Sequence, residues 1–194
     1  MIRELEPDIL LPAYAQGIFP MADPGDQINW YSPDPRAVLP LDAFHVPRTL
    51  RQRYRQGRFE IRMNADFDAV IHACAQRDEG TWINHDIIEA YCLLHRLDFA
   101  HSVEAWQEDR LVGGLYGVAL GGAFFGESMF HHVADASKVA LVHLVDRMRD
   151  RGYVLLDVQF ATPHLQQFGA IEIPRDDYLR RLEEALKLKC RLAD

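Results

Sequence analysis

The chain has 194 residues, 48% hydrophobic and 26% charged, with a formal charge of −8, a composition that suits one globular domain with a sizeable core. An acidic balance of this size excludes a general nucleic-acid coat, which needs a basic face. Three cysteines (Cys74, Cys92, Cys190) without C-x-x-C spacing exclude a disulfide framework or zinc site, and the lack of a signal-like leader or membrane-length apolar run predicts a cytoplasmic protein with no membrane association.

Residues 8–16 read as a short helix that stops before Gly17 and Pro20. From Phe19 to Pro47 the chain is rich in proline, glycine and aspartate, which predicts turns with short strands. A basic helix begins at Pro47 or Arg48 and ends at Gly57, and Phe59 to Met63 alternates like a strand. Six arginines fall between Arg48 and Arg62. Two readings of them stay open, a solvated helix face and a contact with an RNA backbone.

After Asn64 the pattern changes. An amphipathic helix over 65–76 is followed by a second, capped by Asp86. Three strands come next, His101 to Gln107, Arg110 to Leu120 and Ala123 to Phe130; Glu108-Asp109 and Gly121-Gly122 between them fit tight antiparallel hairpins. A helix from Ser137 to Arg151 leads to a strand from Tyr153 to Phe160, and short helical segments after Pro163 and Pro174 finish the chain. The order α-α-β-β-β-α-β-α predicts an α/β or α+β fold on a mixed sheet flanked by helices, over residues 63–194, preceded by a small N-terminal α+β module, residues 1–62. Cys74 and Cys92 fall in the apolar-periodic helices and are expected in the core.

Three constellations could carry chemistry. In LLDVQ (155–159), Asp157 and Gln159 stand at i and i+2 of a strand, which places them on one face. A buried carboxylate must be hydrogen-bonded, and the Gln159 amide N–H can donate to it, leaving the amide carbonyl to accept from an incoming N–H. Alternatively, the pair caps the loop toward Thr162 and Pro163. In FFGESMF (124–130), Glu127 sits among Phe124, Phe125, Met129 and Phe130; facing inward it would be a lone acid in an apolar pocket, suited to binding a cation or amine. Facing outward it would be ordinary surface. Trp30, Tyr31 and Trp82 are either core or aromatic platforms for unstacked bases. The nine histidines show no metal-binding spacing, and the glycines of GGLYGVALGG (113–122) lie within and between strands rather than at a helix N-terminus, so no metal and no diphosphate cradle are predicted.

Taken together, GIFPM (17–21), WYSPDPRAVLPL (30–41), EGTWI (79–83), EAYCLLH (89–95), AHSVEAW (100–106), LVGGLYGVALGGAFFGESMF (111–130), ASK (136–138), DVQ (157–159) and FGAIEIPRDDYLRRL (168–182) resemble, in order and over nearly the whole chain, the leucyl/phenylalanyl-tRNA–protein transferase family. The resemblance implies an acetyltransferase-like (GNAT-type) larger domain. It also implies an enzyme that moves Leu or Phe, and also Met, from aminoacyl-tRNA to the N-terminal Arg or Lys of acceptor proteins, marking them for N-degron degradation. No cofactor is needed, because an aminoacyl ester is already activated and the enzyme has only to align ester and amine and remove a proton.

By the same resemblance Asp157 and Gln159 form a relay that orients the amine, and Glu127 recognises the acceptor's cationic end. Leu115, Phe124, Leu144 and Leu156 would line the donor side-chain pocket. Trp82 and Tyr91 would contact the terminal adenosine of the tRNA, with Trp30 and Arg36 nearby, and Arg48, Arg51, Arg55 and Arg58 would meet acceptor-stem phosphates. Family members usually carry a further segment ahead of GIFPM, where this chain has sixteen residues before Gly17, and Val158 stands where Cys is commoner. Oligomeric state is open, with a monomer expected. An acyl-CoA N-acyltransferase on the same fold is the alternative enzyme, although HHVADASKV (131–139) lacks the pyrophosphate-binding loop such an enzyme needs. A non-catalytic tRNA- or degron-binding module is the third reading.

Overall fold

A computed structural model describes residues 5–76 and 80–193; Glu79 of the EGTWI segment lies outside them. In chain order the elements are α1 (Pro7–Ala15), β1 (Phe19–Ala22), β2 (Ile28–Tyr31), β3 (Arg36–Val38), α2 (Arg48–Arg55), β4 (Glu60–Met63), α3 (Phe67–Ala75), α4 (His85–Arg96), β5 (Ala100–Gln107), β6 (Arg110–Leu120), β7 (Ala123–His131), α5 (Ala136–Asp150), β8 (Leu155–Gln159), α6 (Pro163–Gln166), β9 (Ile171–Ile173) and α7 (Arg175–Leu186). Strands β1 and β2 form a hairpin of their own, and the other seven make one mixed sheet in the order β4-β5-β6-β7-β8-β3-β9.

The antiparallel meander β5-β6-β7 follows from local chemistry. Its first turn places Glu108 and Asp109 at φ 50° and 55°, the left-handed pair that matches strand twist. Its second uses Gly121 at φ 59°. A side chain at Gly121 would meet the carbonyl of Ala185 at 2.8 Å, and the Gly122 N–H donates to that same carbonyl at 2.7 Å. These glycines admit the end of α7 rather than a ligand. Helix α5 then crosses over, so β8 pairs parallel to β7, as a connection of that length permits.

Helices cover both faces. One core gathers Phe67, Val70, Ile71, Ile87, Tyr91 and Tyr116 under α3 and α4; the other gathers Val103, Leu115, Phe124, Val139, Val142 and Leu144 under α5. Cys74 and Cys92 are buried, and none of the three cysteines forms a disulfide. No described helix is long and apolar enough to cross a membrane.

The structure revises several expected boundaries. Helix α4 is capped not by Asp86 but by Asn84, whose side chain accepts the Ile87 N–H at 3.0 Å. The final helix, α7, is twelve residues long. Strand β9 was not foreseen, and β3, within the segment expected to hold short strands, could not be located, since each is only three residues long and short runs carry no readable period. The division after residue 62 falls inside β4, and β3, from the segment ahead of that division, pairs with β8 in the central sheet.

The β6–β7 register shifts between Tyr116 and Gly117. A Cβ at Gly117 would lie 2.2 Å from the Phe125 carbonyl oxygen and 2.5 Å from the Phe124 ring. Backbone cannot yield there as a flexible side chain could. Gly117→Ala is expected to cost at least about 1–3 kcal/mol, the usual range for overpacking, measured by denaturant unfolding.

Candidate active site

Pairing between β7 and β8 runs through Ala123↔Leu155, Phe124↔Leu156 and Phe125↔Asp157 and then stops, although β7 continues to His131. Beyond that point lies a cavity of about 480 Å³, whose wall includes Glu127 and Met129 from β7 and Leu156 and Gln159 from β8. Leu115 and Leu144 add apolar wall from the α5 side, and Trp82 and Phe160 line it as well. Most of the lining is apolar, and its polar side chains include Glu127, Gln159, Ser128, His131, Ser137, Thr162 and His164.

Glu127 is one of them, 8% exposed. It is not alone. The Tyr14 hydroxyl donates to its Oε1 at 2.8 Å, the Gln159 amide Nε2 donates to the same oxygen at 3.1 Å, and the Tyr91 hydroxyl lies 3.5 Å from Oε2. Tyr14 and Tyr91 also share a hydrogen bond between their hydroxyls. Burial pushes the Glu127 carboxyl up to about 8; the nearby Asp157 charge adds to the rise, while Tyr14, Arg36 and Gln159 restrain it. Burial likewise raises both tyrosines, with the Glu127 charge next in effect.

Asp157 stands behind this wall with no exposure. Arg36 pairs with it bidentately, Nε to Oδ1 at 2.9 Å and Nη2 to Oδ2 at 2.6 Å. Tyr178 donates to Oδ2 at 2.7 Å, and the backbone N–H of Gln159 donates to Oδ1 at 2.9 Å. The β3–β8 register shifts between Ala37↔Gln159 and Val38↔Asp157, and Gln159 adopts φ 59°. A bulge of this kind re-aims a side chain at a sheet's functional end.

These contacts change how the acid–amide pair works. The Gln159 amide was expected to donate to Asp157; it donates to Glu127 instead, because the Asp157 oxygens already hold four donors. Leu115, Leu144 and Leu156 line the cavity, whereas Phe124 does not: it is fully buried beneath, packed where Gly117 leaves it room. Trp82 lines the cavity, and Trp30 is 38% exposed on β2. Tyr91 and Arg36, expected beside a nucleotide, are 0% and 1% exposed and belong to the Glu127 and Asp157 networks, so neither offers a face to a base. Arg48, Arg51, Arg55 and Arg58 are exposed with no ion pair among the described residues. Arg53, by contrast, pairs with Asp135 and Arg62 with Glu60 and Asp109. Among the described residues no cluster of three metal-ligating side chains occurs. Sequence reasoning missed Tyr14 and Tyr178, each a lone tyrosine on a helix whose partner lies over 20 residues away.

A family model described as leucyl/phenylalanyl-tRNA protein transferase matches residues 38–183, and one for the N-terminal domain of that family matches residues 3–34. The leucyl/phenylalanyl-tRNA–protein transferase of Rubrobacter xylanophilus is 58% identical over 185 residues, 95% of this chain and 96% of that protein. That of Gloeobacter violaceus is 56% identical over 192 residues, covering 98% and 99%. Among solved structures, L-PGS from Bacillus licheniformis matches with a TM-score of 0.42 and 14% identity over 83% of this chain and 55% of that one, a likeness too loose to carry an argument.

The raised acid makes stability depend on pH. Between the ordinary carboxyl range and about 8 the folded chain holds a proton on Glu127 that the unfolded chain has lost, so this group's contribution to stability falls as pH rises through that window. Glu127→Gln, which mimics the protonated form, is expected to flatten the decline in melting temperature between pH 5 and 8. Parallel declines in the two proteins would show that Glu127 ionises normally.

Proposed function

From the premise that the chain belongs to the leucyl/phenylalanyl-tRNA–protein transferase family, we propose how its cavity carries out transfer of Leu or Phe, and Met, from aminoacyl-tRNA to the N-terminal Arg or Lys of an acceptor protein, which marks that protein for N-degron degradation. The observation that carries the proposal is the Gln159 amide, held 3.1 Å from Glu127 on the wall of a mostly apolar cavity. The acyl-CoA and binding-module alternatives give way to the family membership.

The α-amine of the acceptor attacks the ester carbonyl, forming the C–N bond and breaking the bond to the 3′-oxygen of the terminal ribose, which takes up a proton. The amine must first shed a proton. Glu127, raised to about 8, lies beside the ordinary α-amino range of about 7.7–8.0, so its carboxylate can take that proton at little cost. It recognises the same ammonium beforehand. Gln159 is too weak a base to hold the proton. With its N–H committed to Glu127, its carbonyl is left to accept from the amine and point the lone pair at the ester.

Leu115, Leu144 and Leu156 receive the donor side chain. An unbranched Cβ suits such a slot, and a β-branched donor would clash near its entrance. Trp82 and Trp30 serve the terminal adenosine. The exposed arginines Arg48, Arg51, Arg55 and Arg58 meet acceptor-stem phosphates, supported by the pairing of Arg53 with Asp135, two residues from the cavity-lining Ser137. An acetyltransferase-type (GNAT-type) sheet is the finer reading of the fold, supported by the meander, the α5 crossover and the parting of β7 from β8.

Incubation with labelled Leu-tRNA and Phe-tRNA should extend peptides that begin with Arg or Lys and leave those that begin with Ala unchanged. Gln159→Ala is expected to lower kcat by about 100-fold with KM nearly unchanged, since the amide acts during attack; wild-type turnover would refute its role. Raising salt from 50 to 200 mM should weaken tRNA binding, and Arg51→Ala with Arg55→Ala should reduce the salt slope by about 2. A flat response would return those arginines to solvated surface.

A further inference from the structure

Gln159 works only if its amide is aimed, and the aim is not intrinsic. A non-glycine residue at φ 59° holds a backbone conformation that L-residues avoid. What holds it is the Asp157 carboxylate, whose Oδ1 accepts the Gln159 N–H and closes a side-chain-to-backbone turn two residues on. That oxygen is itself placed by others. Arg36 spans both carboxylate oxygens, and Tyr178 secures Oδ2. Four donors fill the capacity of a carboxylate, so Asp157 has nothing left with which to polarise the Gln159 amide directly.

Arg36 is in turn immobilised. Its Nη1 donates to the Gly17 carbonyl at 3.0 Å, and its guanidinium lies 4.7 Å above the Phe19 ring and 4.6 Å from the Tyr178 ring. Residues from the segment around β1, from β3 and from α7 thus converge on one carboxylate of β8. We propose that Arg36 and Tyr178 are positioning residues for the transfer: acting through Asp157, they lock the left-handed turn at Gln159 and so aim its amide at Glu127 and the attacking amine. Asp157 is the hub of that lock rather than a proton or charge relay. The inference rests on the role assigned to Gln159.

The aim has a second readout. Glu127 is faced by Tyr14 from α1, Tyr91 from α4, Arg36 from β3, and Asp157 and Gln159 from β8. Among these, the Gln159 amide holds the acid's pKa down. A variant that loosens the turn while keeping every charge should therefore let Glu127 titrate higher.

Tyr178→Phe is such a variant, for it removes one hydroxyl and leaves the ring beneath Arg36. It is expected to fold normally, to lower kcat about tenfold, as loss of one hydrogen bond to a carboxylate allows, and to leave KM for aminoacyl-tRNA within about twofold. The basic shift of its kcat–pH profile should match that of Gln159→Ala. Arg36→Lys, which keeps the charge but cannot bind bidentately, should lose more. Tyr178→Phe combined with Gln159→Ala should be no slower than Gln159→Ala alone, because both changes remove one function. Wild-type kcat and pH profile in Tyr178→Phe beside an impaired Gln159→Ala, or fully multiplicative losses in the double variant, would overturn the lock while leaving the reading of Gln159 intact. Full turnover by Gln159→Ala would remove that reading and the lock together.

Discussion

A carboxylate with no solvent exposure is tolerated only when its charge is matched and its lone pairs are filled, and Asp157 meets both conditions through Arg36, Tyr178 and the backbone of Gln159. Breaking such a pair from one side leaves an uncompensated buried charge, at a typical cost of about 3–5 kcal/mol. Replacing a matched buried pair with apolar residues is often neutral or stabilising. Stability alone therefore does not account for placing this one at the end of a sheet strand. Its return is geometric: Arg36 is 121 positions from Asp157 in the chain, and their contact joins β3 to β8 and both to the ring of Tyr178 on α7.

Two carboxylates a short distance apart have been given opposite duties by their surroundings. Asp157 faces a guanidinium and a filled donor set. Among the described residues Glu127 has no cation in direct contact; two tyrosine hydroxyls and an amide surround it, and burial dominates, raising it to about 8. The charge on Asp157 adds to that rise. On the proposed mechanism Glu127 takes the proton of the amine and Asp157 holds geometry, a division of labour set by environment rather than residue type. The parting of β7 and β8 opens Glu127 to the cavity while Asp157 stays behind its wall, with apolar side chains from the α5 core on the other side.

Much of this was legible in order along the chain. Alternation in residues 100–131, with Glu108-Asp109 and Gly121-Gly122 between the runs, is enough to predict the meander, since hairpin turns and period-two patterns are local. For Glu127, among four apolar neighbours, the sequence left a buried acid and a surface residue both open, and packing decided for burial. Strand β9 and the position and pairing of β3 were illegible because three residues cannot display a period, and β3 carries an arginine paired with a distant aspartate. Tyr91 looked like a base contact for want of any sign that Tyr14 lies across from it.

The sequence by itself determined the family, the order of the longer helices and strands and two polar residues of the cavity wall, Glu127 and Gln159, because each is carried by neighbours within a few positions or by motifs read in order. Only the tertiary structure decided which polar groups pair. It gave the Gln159 amide to Glu127 rather than to Asp157, buried Arg36 and Tyr91 away from any nucleotide, and recruited Tyr14 and Tyr178. Hydrogen-bond partnership depends on distances of about 3 Å and on donor capacity, and those are settled when separate strands and helices pack, not by the spacing of letters along one of them.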